Sequence, residues 1–155
     1  MGIEQLTRQW QLMRDAQTFL EASRMANSAL MGIHFAEIAR EKGESAKAEH
    51  LRKIDDGINL LQTVLRTLEA RDNQATISSE ALSILYVLSQ GRMVGGPTAL
   101  KKMLAGSIAE LKSFKEGKTN VLEDAEDLLE IIACSTSEEA SKATSKIRIF
   151  MAEAR

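Results

Sequence analysis

An all-α fold, a bundle of five or six helices, is the class this chain predicts, on three observations. Its only proline, Pro97, follows the only paired glycines, Gly95 and Gly96, so long stretches carry no strong helix breaker. No segment shows the alternating β-branched and aromatic pattern of a half-buried strand. Between the breaks, apolar residues recur at spacings of three and four. The 155 residues, 44% hydrophobic and 27% charged, fit one globular domain spanning 1–155 with one core. Aromatic residues make up only 4%, so Leu, Ile, Ala and seven Met must fill that core, and Met adapts to more than one packing.

The first helical stretch runs from Ile3 to Lys42, with Gly32 its one weak point. Ile3, Leu6, Trp10, Met13 and Leu20 fall on one stripe. Ala26, Leu30 and Ile33 then fall about 150° around the axis, at roughly 100° per residue. The stretch therefore either bends between Glu21 and Asn27 or is one helix with two working faces.

In the second helix, Leu51, Ile54, Ile58, Leu61, Leu65 and Leu68 repeat with spacings of three, four, three, four and three. That is a heptad seam fewer than three full heptads long, which suits a helix packed inside its own bundle. Gly57 within it permits a close helix contact. After Arg71-Asp72-Asn73-Gln74, a third helix is expected near Ala75 to Gln90. Thr98 caps a fourth that ends at Gly117, with Leu100, Leu104, Ile108 and Leu111 inward. Asn120 with Glu123 opens a fifth, and Thr136 with Glu139 a sixth, by capping-box spacing.

Nothing in the chain reads as a catalytic, cofactor or metal site. A di-iron bundle needs Glu-x-x-His pairs on facing helices, and His34-x-x-Glu37 has the reverse order and occurs once. Glu123, Glu126, Asp127 and Glu130 share a helix face without the loop and turn glycine of a calcium site. The single Cys134 has no sequence partner for activation and, beside Ile131, Ile132 and Ala133, reads as a small core residue. A lone cysteine, no signal segment and no run of 18 apolar residues give a cytoplasmic reading, with no membrane partner.

The formal net charge is only −2, but it is unevenly spread. Residues 92–118 hold six Lys or Arg against two Glu; residues 119–139 hold seven acids and no Lys or Arg. Solvated faces and acidic first turns account for most of this. Ile84 to Gly91, then Thr98 to Leu104, then Ile108 to Phe114 form a pattern that resembles a winged-helix DNA-binding core over about a fifth of the chain. The resemblance implies that Lys101, Lys102, Lys112 and Lys115 meet phosphate. The sequence departs from that pattern in having no β-wing after Gly117 and an acidic helix next.

The function expected from these readings is that of a non-enzymatic interaction protein, as an adaptor, assembly subunit or secretion-type chaperone would be. It binds a helical partner or a second copy of itself through apolar grooves. The candidate contact residues are Ile3, Leu6, Trp10 and Met13, together with Met93 and Val94 beside the glycine pair. The alternative is a helix-turn-helix-like nucleic-acid binder using the basic segment 92–118.

Overall fold

Small side chains decide how the helices meet. In the computed structural model, which describes residues 2–73 and 96–153, the chain from Ile3 to Glu41 is one unbroken helix, α1. Its inner face is built mostly from small residues, Ala16, Ala22, Ser23, Ala26, Ala29, Gly32 and Ala36, with Phe19 and Ile33 the two large ones, all buried. At about 1.5 Å per residue its 39 residues reach about 58 Å. Gly43, with φ 74°, ends it: the Glu44 N–H donates to the Ala39 carbonyl at 2.9 Å in a left-handed cap.

α2 spans Ala48–Asn73, running antiparallel to α1, and meets it where both lack a side chain. A Cβ on Gly32 would stand 2.5 Å from the His50 carbonyl oxygen, and one on Gly57 would stand 2.6 Å from the Ala29 Cβ. Gly32 is therefore a contact point rather than a weak point, and Gly57 does admit a close approach. The α2 seam is mostly buried: Ile54, Ile58, Leu61 and Leu68 are inside, Leu51 and Leu65 half-buried against the core. Leu60, Val64 and Thr67 are buried as well, because α2 is covered from two sides.

α3 spans Gly96–Lys115 and α4 spans Ala125–Glu153. Pro97 falls in the first turn of α3, where its missing N–H costs nothing. Thr98 is thus inside the helix instead of capping it. Gly117, at φ 77°, closes the end as expected, the Lys118 N–H donating to the Ser113 carbonyl at 2.9 Å. α1 packs along α4 and α2, α3 packs on α2, and α3 and α4 meet near their connecting turn. Ile33, Ile54, Leu61, Leu104, Leu111, Phe114, Leu128, Leu129 and Ile132 form the common core.

The described residues hold four helices and no strand, against the five or six helices expected of the whole chain. The proposed fifth and sixth helices are one. Thr136 is fully buried in mid-helix, and its hydroxyl donates to the Ile132 carbonyl at 2.5 Å rather than capping a new start. Asn120 does not open α4 either, since its side chain accepts from Arg40. The Glu110 carboxylate of α3 instead accepts the N–H groups of Glu123, at 2.6 Å, and Asp124. α2 runs on through Arg71, Asp72 and Asn73. The helix expected near Ala75 to Gln90 lies outside the described residues.

Two charged side chains tie the helices at one end. Arg40, in the last turn of α1, lies 4.3 Å from the Phe114 ring centroid and donates to the Phe114 carbonyl at 2.6 Å. Lys115 pairs with Asp55 of α2 at 2.6 Å. Arg40 adds a charged donor to a Phe114 carbonyl that also accepts the Gly117 N–H at 3.1 Å, and both cations sit at the negative end of the α3 dipole.

Candidate functional site: the outer face of helix α1

Because α1 continues without a break, its two stripes are two faces of one helix, one of the two alternatives that the sequence leaves open. Ala26 and Ile33 lie in the core, with Leu30 half-buried against it. The other stripe is turned to solvent: Ile3 is 83% exposed, Leu6 53%, Trp10 67%, Met13 53% and Leu20 58%. None of the described residues before Ala16 is buried. The far end of α4 reaches only the flank of this segment, where Arg8 stands over the Phe150 ring at 5.6 Å and Gln9 donates to the Met151 sulfur at 3.2 Å.

Beside the stripe, residues of α1 and α2 line an open groove of about 620 Å³. Its lining joins apolar Trp10, Met13, Ala22, Met25 and Leu60 to polar Arg14, Gln17, Thr18, Glu21 and Thr63. The Arg14 guanidinium stands 6.0 Å from the Trp10 ring centroid. Arg24 donates to Glu21 at 2.7 Å, and that hydrogen bond first, with the charge of Arg24 beside it, holds the Glu21 carboxyl below the usual carboxylate range. Glu21 is therefore ionised at neutral pH in a lining that also offers carbon and sulfur. Such a surface favours an amphipathic helix over a small polar ligand. Met93 and Val94, the other expected contact residues, lie outside the described residues.

The basic residues are not gathered into one free patch. Lys102 and Lys112 are exposed on α3, Lys101 is half-buried, and Lys115 is engaged with Asp55. α3 continues through Gly106 as a single helix, with no strand following Gly117 among the described residues. The wing and second break of the winged-helix pattern are thus missing from this part of the chain.

Among the described residues, no group of three or more His, Cys, Asp or Glu stands where it could hold a metal ion. Cys134 is exposed, which corrects its expected place in the core: Ile132, Ala133 and Thr136 face inward on α4, and Cys134 turns away from them. The His50 ring stacks on Phe35 at 4.8 Å between centroids. No described helix is long and apolar enough to cross a membrane.

In the acidic stretch, Glu126 shares a side-chain hydrogen bond with Glu37 of α1, and its carboxyl is raised above the ordinary value. Partial burial is the first cause, then the hydrogen bond and charge of Glu37. A raised folded-state value favours the protonated form. The stability it contributes is therefore complete below the ordinary carboxyl range near pH 4.3 and lost as pH rises through the shifted value. Glu126→Gln should gain stability relative to the parent at pH 7 and lose that advantage at pH 4. Solvent screening of this partly exposed pair keeps the effect below about 1 kcal/mol. Thermal melts of both proteins at the two pH values test this; an equal difference at both would contradict the assignment.

No family model, curated protein or solved structure matches the chain.

Proposed function

We propose that the chain is a non-enzymatic interaction protein that docks an amphipathic helix along the outer face of α1. The carrying observation is the row Ile3, Leu6, Trp10, Met13 and Leu20, each more than half exposed on one rigid helix whose other face is occupied by its own core. Isolated exposed apolar residues are ordinary, but five on one stripe beside an apolar groove are the mark of a recognition surface. Trp at the centre supplies the large, stiff anchor that concentrates binding energy in such sites. An adaptor, an assembly subunit or a secretion-type chaperone would use the face in the same way. The reading takes the chain as cytoplasmic, where a single exposed thiol stays reduced.

The test is retention of partners from the native source on immobilised parent protein and on a Leu6→Glu/Trp10→Glu variant. Both positions are solvent-exposed, so the variant should keep the parent's circular dichroism and melting temperature. A protein held by the parent and released by the variant is the expected result. Identical retention by the two proteins would overturn the assignment of this face.

A further inference from the structure

We infer that the helix seated on the outer face of α1 is α1 of a second copy, running antiparallel. The inference rests on the docking reading above and names its partner. Along the exposed stripe, Ile3, Leu6, Trp10, Met13, Gln17 and Leu20 are spaced three, four, three, four and three. This is a heptad a/d seam of its own, on the side of α1 away from the core, with every member exposed. The next two seam positions are Arg24 and Asn27, both polar and exposed, so the apolar patch stops at Leu20. It is 18 residues long, about 26 Å at 1.5 Å per residue.

The patch is complementary to itself when reversed. In an antiparallel pair each a position faces a d position, which sets Ile3 against Leu20 of the second copy, Leu6 against Gln17, and Trp10 against Met13. The two-fold axis repeats all three layers. Two layers are wholly apolar, and in the third the methylene stem of Gln17 meets Leu6 while its amide reaches solvent. The large indole always meets a flexible thioether. A parallel pair would crowd Trp10 against Trp10 and stack Gln17 on Gln17, leaving one layer overfilled and another polar.

Area supports the same partner. With aromatic side chains presenting about 150–250 Å² and the aliphatic ones somewhat less, the five exposed apolar residues offer on the order of 600 Å² per copy. Self-pairing then buries on the order of 1,200 Å² in total, the lower edge of a specific interface. The dimer is accordingly reversible and concentration-dependent.

Trp10 is the chain's single tryptophan, so it reports on the seam directly. As concentration rises from low to high micromolar, light scattering should move from the 17.1 kDa of one chain toward twice that mass, and Trp10 emission should shift to the blue in parallel. Trp10→Glu should remain at one chain's mass throughout. In a Cys134→Ser background, mixing Ile3→Cys with Leu20→Cys chains should give a disulfide-linked heterodimer on mild oxidation, whereas Ile3→Cys chains alone should give none. A parent protein that stays at one chain's mass at high micromolar concentration overturns the inference, as does linkage of Ile3→Cys chains to each other in place of the mixed pair. If the parent is monomeric yet loses a retained partner through Leu6→Glu/Trp10→Glu, only the second-copy assignment fails. If that variant changes neither mass nor retention, the docking reading fails with it.

Discussion

Phe114→Ala is expected to remove about 3–5 kcal/mol of folding stability, the usual range for emptying a buried aromatic site. The ring is completely buried in the last turn of α3, and it is also the platform for Arg40. Truncation leaves a cavity among the core residues and takes away a cation–π contact of about 0.5–2 kcal/mol. The Arg40 hydrogen bond to the Phe114 carbonyl survives on paper, since its acceptor is backbone, but loses the packing that orients it. For a chain of this length a loss of this size lowers the melting temperature by roughly 10 °C. Urea denaturation followed by circular dichroism measures it. A loss under about 1 kcal/mol would mean that the ring is not enclosed as described.

Leu61→Ala should cost about 2–5 kcal/mol, read in the same experiment. Leu61 is completely buried at the middle of α2, the helix covered by α1 on one side and α3 on the other. Neighbours held by two rigid interfaces collapse poorly into the space left behind, which favours the upper part of the range. Leu65→Ala is the internal comparison: the position belongs to the same seam but is only half-buried, so the substitution should cost clearly less. Equal losses at the two positions would show that α2 does not present the face assigned to it.

The α2 seam was legible because Leu and Ile at heptad spacing leave one packing face for a bundle helix. α1 was harder. Its core stripe is mostly Ala, Ser and Gly, which hydrophobic periodicity registers weakly, with only Phe19 and Ile33 as large members, whereas its strongest apolar stripe, Ile3 to Leu20, faces water. Pattern alone marked two faces without saying which was inside. The division of α4 into two helices came from Thr136-x-x-Glu139, whose spacing imitates a helix start although the threonine satisfies its hydroxyl within its own helix. The true closure of the α4 start, by Glu110 thirteen and fourteen residues earlier, is a tertiary contact with no local signature. Arg40 over Phe114 joins residues 74 apart and is equally invisible to spacing. Of the candidate site, Ile3, Leu6, Trp10 and Met13 were recognisable as a stripe. Their groove with Met25 and Leu60 joins two helices that no local spacing relates.

The two central helices are vulnerable in opposite senses. α2 contributes bulk, so its core positions fail when side chains shrink and a void opens. Apart from Phe19 and Ile33, the inner face of α1 has little left to remove: at Ala22, Ala26, Ala29, Gly32 and Ala36, change in nearly every case means growth into a filled core, and at Gly32 growth meets the His50 backbone. Genetic variation in this chain is therefore filtered by size at one surface of contact and by loss at the other. The outer row of α1, more than half exposed at each apolar position and outside the core formed by the described residues, is free to vary with whatever it meets.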